Sequence, residues 1–318
     1  MGMCKNRLGI EVPVALLFLA TNLAFAPSSC GQNAGSSQPV PQFDGNAREL
    51  VQQMVQNELN AQLHDRSRWQ FRDDKIEDGK PEQLTEVVQT NDGDIRHILA
   101  TSGQPLTPEQ EEAENARIES LISNPDRLQE VQKQRHEDAE HERRLLAMLP
   151  EAFCYDSAGT ENGIVTLNFH PNEEFRSSQR EERVFHHMEG VLRIDLQQKR
   201  LVELSGRLTS EVKFGGGLFG RLDPGGTFDV TQRDIGDGHW DVTHVDVHIN
   251  GKALLFKDIN VKQKETRSDF QAIPGNLTLQ QGFDLLERDA TTYTKVSTVQ
   301  KPPNRMLVRG SAFVPHKP

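Results

Sequence analysis

A succession of short strands constrains the fold of this chain more than any other feature. From Phe153 to Ile259 the sequence alternates strand-like segments with turns and shows no helical pattern between them. At residues 192–196 the order Leu-Arg-Ile-Asp-Leu has the period of a strand with one apolar face and one wet face. Strands that follow one another without intervening helices pair in antiparallel fashion. The segment therefore predicts an antiparallel sheet.

The turns of this sheet are predicted from local composition. Asn250-Gly251 favours a two-residue hairpin turn because both of its positions need positive φ. The strands expected in this region are 164–169, 191–196, 200–208, 228–232, 240–249 and 252–259.

The first half of the domain predicts helices as well as strands. Apolar residues repeat at helical spacing in a first helix over 46–64, and two strands, 84–90 and 95–101, flank a hairpin loop. Thr107, Pro108 and Gln110 form a capping-box start for two charged helices over 108–123 and 125–148. We therefore expect an α+β fold, in which a curved antiparallel sheet (a half-barrel) carries a capping helix and a charged helical insertion at 107–149. The expected single domain covers residues 45–300, and residues 301–318 form a C-terminal tail.

The amino terminus predicts export. Lys5 and Arg7 precede an apolar run over 12–26, which ends in Ala24-Phe25-Ala26, the small-x-small pattern that a signal peptidase reads. The run is shorter than the roughly 20 residues that a membrane-spanning helix needs. We expect cleavage after Ala26, a signal peptide at 1–26, and a flexible Ser/Gly/Pro linker at 27–44.

Cys30 offers an alternative processing route. A lipoprotein signal places a cysteine directly after an apolar–small–small box, and Cys30 follows Pro27, Ser28 and Ser29. Proline at the first of these positions is a poor match, so cleavage at Ala26 without lipidation is the favoured interpretation. Two remaining cysteines in a chain of this length do not make a disulfide framework.

The charge of the chain excludes one class of partner. Removing residues 1–26 takes away two basic residues and one acidic residue, which leaves 34 basic against 46 acidic residues and a formal charge of −12. An acidic surface repels nucleic acid. No other apolar stretch reaches membrane-spanning length, so no transmembrane anchor is expected after signal removal.

Motifs for catalysis, cofactors and metals are weak. The glycine-rich segment 215–220 matches G-x-G-x-x-G but precedes Pro224-Gly225-Gly226, where the helix of a dinucleotide site could not form. His244, Asp246 and His248 would share one face of a strand, but the two histidines would lie about 13 Å apart, too far to chelate one ion together. These three residues remain weak metal candidates, and the sequence predicts no catalytic residue and no cofactor.

Two hairpin segments resemble a known superfamily. Residues 189–195 and 199–202 resemble the hairpin of the periplasmic lipoprotein-sorting chaperones of the LolA, LolB and RseB type, and 226–230 and 251–257 suit the later strands of that family. The resemblance covers about 160–270, with 45–100 as a further part. It implies a half-barrel whose apolar concave face holds a lipid or a lipidated partner. The groove residues that it implies are Leu192, Ile194, Phe228 and Val230.

Three functional hypotheses follow. The leading one is an exported, non-enzymatic protein of the periplasm or cell envelope that binds a lipid or lipoprotein. An alternative is an interaction or scaffold protein that uses the helices at 107–149. A third is a metal-dependent enzyme built on His244, Asp246 and His248.

Overall fold

The structure is a computed structural model and describes residues 43, 45–176, 181–214, 220–253 and 257–300. Its helices are α1 (Ala47–His64), α2 (Pro108–Ile122), α3 (Pro125–Ala152) and α4 (Leu279–Gln300), with a 3-10 helix at Glu181–His187. Its strands are β1 (Arg68–Glu77), β2 (Gln83–Thr90), β3 (Gly93–Thr101), β4 (Gln104–Pro105), β5 (Phe153–Glu161), β6 (Ile164–Pro171), β7 (Met188–Asp195), β8 (Leu201–Leu208), β9 (Val212–Phe214), β10 (Gly220–Leu222), β11 (Thr227–Gly236), β12 (His239–Ala253) and β13 (Lys257–Ile273).

The thirteen strands form one open antiparallel sheet. The strand order is β4-β3-β2-β1-β13-β12-β11-β8-β7-β6-β5, and β9 and β10 branch from the end of β12. The first and last parts of the domain meet where β1 pairs with β13, with Asp73 opposite Arg267. The predicted α+β class with a curved antiparallel sheet is confirmed.

One face of the sheet, which we call the inner face, is covered by α1 and α3. Asn46 caps α1 by accepting hydrogen bonds from the first-turn amides, and Leu50, Val51, Met54 and Val55 form its buried stripe. This stripe and the C-terminal end of α3 pack against the apolar side chains of β5–β8, β11 and β12. The main hydrophobic core therefore lies between the sheet and these two helices.

Within the part of the chain that the structure describes, the apolar cluster of the opposite, outer face lies at one end of the sheet. Over β2 and β3, Ile118 of α2 and Phe283 and Leu286 of α4 pack against Val88 and Ile95. The capping box predicted at Thr107 is present at the start of α2. Helix α4 has no counterpart in the sequence analysis, which assigned no helix to 279–300. No helix in the described ranges is both long enough and apolar enough to cross a membrane.

The hairpin turn predicted at Asn250-Gly251 is wrong. Both residues lie inside β12 and pair with Asn260 and Ile259 of β13. A Cβ on Gly251 would lie 2.2 Å from the carbonyl oxygen of Arg221, because β10 pairs with β12 at this point. Glycine is needed there for the close approach of a third strand, not for a turn.

Candidate functional site

The four implied groove residues lie in the main core. Leu192 is 1% exposed, Ile194 0%, Phe228 6% and Val230 1%. They point to the inner face, where α1 and the end of α3 cover them. The inner face is thus continuous and apolar over β7, β8 and β11, and the chain's own helices occupy it.

A glycine of β8 makes room for the largest of these side chains, Phe228. Gly190 of β7 and Gly206 of β8 lie opposite each other. A Cβ on Gly206 would lie 2.7 Å from Cζ of Phe228 and 2.6 Å from the carbonyl oxygen of Glu189. The ring of Phe228 therefore lies directly on the backbone of β8.

A buried ion pair holds α1 to the sheet. Arg200 donates from Nε and Nη2 to the two carboxylate oxygens of Glu58, at 2.8 and 2.9 Å, and the backbone amide of Leu201 donates to Glu58 at 2.9 Å. The side chains of Glu58 and Arg200 are 4% and 13% exposed. Every polar contact that the Glu58 carboxylate needs is made, so α1 is firmly placed.

Further contacts surround this ion pair. The guanidinium of Arg200 lies 6.0 Å from the ring of Trp240, whose Nε1 donates to the side chain of Gln198 at 2.9 Å. Asn57 of α1 donates to the backbone carbonyl of Gln198 at 3.1 Å. Helix α1 is thereby tied to the β7–β8 turn and to β12.

The inner face changes from apolar to polar and charged between β12 and β13. Val245 and Val247 of β12 lie opposite Glu265 and Gln263 of β13. Beyond this line the inner face carries a charged cluster, which consists of Asp73, Arg96, Asp241, Glu265 and Arg267. Sequence reasoning missed this cluster; its only signal is the run Gln263-x-Glu265-x-Arg267, which puts three polar residues on one face of a strand.

Arg267 is the centre of the charged cluster. Its guanidinium lies 3.2 Å from Asp241 and 2.8 Å from Glu265, and it stands over the ring of Phe71 at 5.4 Å. Arg96 binds Asp73 at 2.9 Å. Three carboxylates of the sheet thus face two guanidinium groups.

Two carboxylates of the charged cluster, Asp73 and Asp241, are buried and incompletely hydrogen-bonded. Burial raises the pKa of Asp73, and the neighbouring Glu265 raises it further against the pull of Arg267 and Arg96. Burial also raises the pKa of Asp241 despite its contact with Arg267. One oxygen of each of these two carboxylates has no hydrogen-bond partner within the described ranges.

A further carboxylate, Glu142 of α3, lies close enough to Arg267 of the charged cluster for the two charges to interact. Burial raises the pKa of Glu142 to about 8, and the carboxylate of Asp138 adds to this shift while Arg267 and Arg143 oppose it. Glu142 lies on the stripe of α3 that also carries the buried Leu145, Leu146 and Leu149. The stripe therefore bears an acid where it leaves the apolar part of the inner face.

The three metal candidates lie on the outer face of β12. His248 Nε2 lies 3.0 Å from Asp246, and their side chains are 48% and 34% exposed. His244 contacts Thr266 of β13 at 3.4 Å instead. Within the described residues no group of three or more His, Cys, Asp or Glu side chains is arranged to hold a metal ion.

A buried serine–histidine–aspartate group lies where α1, β1 and β12 meet. Asp65 lies 2.5 Å from His239 Nδ1, and Ser67 Oγ lies 3.1 Å from the same nitrogen. A catalytic triad needs the hydroxyl at the opposite ring nitrogen. Trp69 donates to Ser67 at 3.0 Å and stacks on the His239 ring, so the group joins three elements of the fold.

Other candidates lie apart from these groups. Ala24, Ala26, Cys30 and the segment 215–219 fall outside the described residues. Cys154 is a free cysteine on β5, opposite His170 of β6.

No known protein family, curated protein or solved structure matches this chain. The fold and the inner face therefore carry the functional argument by themselves: an open antiparallel sheet, an apolar inner surface, and two helices that cover it.

Proposed function

We propose that this is an exported, non-enzymatic binding protein of the periplasm or cell envelope, which holds the acyl chain of a lipid or of a lipidated partner on its inner face. The observation that carries the proposal is the continuous apolar inner surface of β7, β8 and β11, which is covered by helices α1 and α3. The resemblance to the lipoprotein-sorting chaperones, with their half-barrel and capping helices, points to the same activity.

The free energy gained by burying an acyl chain can offset the free energy lost when a covering helix is exposed. Burying one CH₂ group is worth about 0.8 kcal/mol, so a chain of about twelve carbons offsets roughly 10 kcal/mol of exposed helix surface. In this proposal α1 or α3 moves aside and the chain contacts Leu192, Ile194, Phe228 and Val230. The open edges at β4 and β5 leave the sheet free to adjust its curvature.

Mass spectrometry tests the proposal directly. Protein purified from the periplasm of an expression host should carry lipid under native conditions, and organic extraction should release it. Delipidated protein should then bind a fluorescent fatty acid. Protein that is lipid-free on purification and does not bind the fatty acid would rule the proposal out.

A matched pair of variants ties binding to the inner face. Glu58→Gln weakens the ion pair that holds α1, so it should speed uptake of the fluorescent fatty acid. Glu203→Gln weakens the half-exposed pair with Arg193 on the outer face, 3.1 Å long, and should leave uptake unchanged. Equal uptake rates in both variants and in the wild type would show that fatty-acid binding does not depend on the movement of α1.

Export has its own test. The intact mass of secreted protein should place the new amino terminus at Pro27. A mass that corresponds to an acylated Cys30 would instead show the lipoprotein route.

The scaffold alternative rests on the first half of α3. Lys133, Glu137 and their neighbours are exposed, and Gln132 and Arg135 contact the β2–β3 turn through surface side chains. Deleting 107–149 would remove Leu145, Leu146 and Leu149 from the core, so a clean test reverses the charges of Lys133 and Glu137 instead. Loss of a co-purifying protein partner with an unchanged fold would support this alternative.

A further inference from the structure

The apolar surface and the charged cluster lie side by side on the inner face. Val245 of β12, which belongs to the main core, lies opposite Glu265 of β13. Arg267 follows Glu265 by two residues, so both side chains lie on the same side of β13, and Arg267 in turn lies opposite Asp73 of β1. A ligand whose chain covers β7, β8 and β11 therefore ends about two strand spacings, roughly 10 Å, from the charged cluster.

The charged cluster contains two carboxylate oxygens that its own cations leave unbound. The side chains of Asp73 and Asp241 are 4% and 2% exposed. Arg96 binds one oxygen of Asp73, and Arg267 binds one oxygen of Asp241. The other oxygens, Oδ1 of Asp73 and Oδ2 of Asp241, accept no hydrogen bond from any residue that the structure describes. A buried oxygen without a donor is costly, so a donor supplied by a ligand is bound favourably at this position.

The charge of the cluster selects the kind of donor. Asp73, Asp241 and Glu265 carry three carboxylates against the two guanidinium groups of Arg96 and Arg267, and both guanidinium groups already contact these acids. Burial raises the pKa of Asp73 and of Asp241 in spite of these contacts, so the two cations do not fully compensate for burial. The cluster therefore favours a cationic donor and disfavours an anion.

Neighbouring groups leave this excess of negative charge in place. Glu142 of α3 and Asp94 of β3 each add a carboxylate whose charge acts on the cluster. Arg135 lies 4.0 Å from Asp94 and offsets that charge. The imidazole of His239, which also acts on the cluster, is bound by Asp65.

We infer that the charged cluster is the head-group subsite for the ligand of the inner face, and that it selects an amphiphile with an ammonium head group. A primary ammonium has three N–H donors and no acceptor, so it suits the free oxygens of Asp73 and Asp241. As in the proposed function, on which this inference rests, the ligand takes the place of a covering helix and its chain contacts the apolar surface. A fatty acid is then held by its chain alone and binds more weakly.

Three dodecyl probes that differ only in the head group test the inference: dodecylamine, dodecanol and dodecanoate. Calorimetric titration of the delipidated protein, at neutral pH and below the micelle concentration, should give dodecylamine the highest affinity. Its affinity should exceed that of dodecanoate by about tenfold or more, with dodecanol between them. Equal affinities, or tighter binding of dodecanoate, would overturn the inference and leave the proposed function intact. Binding of none of the three probes would instead contradict both.

Conservative variants assign the preference to the cluster. Asp241→Asn and Asp73→Asn each remove one charge and keep the shape of the side chain. Each should lower the preference for dodecylamine over dodecanoate several-fold and leave the affinity for dodecanol nearly unchanged. Asp229→Asn, a matched change on the outer face of β11, should keep the order of the wild type.

Circular dichroism checks that each variant is folded. If neither cluster variant folds, the order of affinities in the wild type decides the inference by itself. A preference for dodecylamine that persists unchanged in both folded cluster variants would place its origin outside the charged cluster and overturn the inference.

Discussion

Glu58 on α1 and Arg200 before β8 form a two-pronged ion pair, 142 residues apart in sequence, and this pair is the polar anchor of the main core. The two residues meet because α1 lies across the inner face and the β7–β8 turn reaches its flank. The pair is buried at the border of the apolar surface that is proposed to bind a ligand. Its strength therefore bears on stability and on access to the inner face alike.

Glu58→Ala should cost about 3–5 kcal/mol of unfolding free energy, because it leaves the buried guanidinium of Arg200 and the amide of Leu201 without their acceptor. Urea denaturation followed by circular dichroism measures the change. Glu203→Ala removes the partner of Arg193, whose own side chain is 38% exposed, and should cost about 0–1 kcal/mol. Similar losses in the two variants would show that burial of the Glu58–Arg200 pair carries no special weight.

Gly206→Ala should destabilise the protein by roughly 1–3 kcal/mol, because the new Cβ overlaps the carbonyl oxygen of Glu189 and the ring of Phe228. Replacing Phe228 with leucine in the same chain should recover part of the loss, since the smaller side chain leaves room. Gly275→Ala serves as control, because its Cβ would meet only the carbonyl oxygen of Arg66 at an ordinary 3.4 Å. If the stability losses of the two single substitutions simply add in the double variant, residue 206 and Phe228 do not interact.

Glu142→Gln should stabilise the whole protein at high pH. The pKa of Glu142 is raised to about 8 in the folded protein, so its ionisation costs stability progressively as pH rises from about 4.5 to 8. Below pH 4.5 the variant and the wild type should have the same unfolding free energy. Above pH 8 the variant should be more stable by a few kcal/mol at most, since one pKa unit corresponds to about 1.4 kcal/mol. Thermal unfolding at pH 4, 6 and 9 checks both ends, and a constant difference across that range would contradict the assignment.

Local sequence patterns were enough to predict much of the fold. The strands around 192–196 alternate in period two, and the capping box at Thr107 fixes the start of α2, so both were predictable from neighbours in sequence. The order of the strands was not, since pairing of β1 with β13 joins segments almost two hundred residues apart. The turn predicted at Gly251 was wrong for a related reason. Glycine is needed there because of the close approach of β10, a strand that is distant in sequence.

The candidate site shows the same limit. The four apolar groove residues were predictable as inward-facing because alternation decides the face of a strand. That α1 and α3 cover them depends on tertiary packing. The charged cluster also escapes sequence reading, because Asp73, Asp241 and Arg267 come from three strands that only the sheet brings together.

Histidines on the two faces of the sheet should respond differently to removal. His239→Ala should cost about 1–3 kcal/mol, because it breaks the buried contact with Asp65 and removes the ring on which Trp69 stacks. His248→Ala should change stability by no more than about 0.5 kcal/mol, since its side chain is 48% exposed.

Metal analysis of purified protein should show no stoichiometric metal, because His244 and His248 contact different partners on the outer face. One equivalent of bound zinc that is lost in His248→Ala would instead support the hypothesis of a metal-dependent enzyme and would assign a functional role to β12.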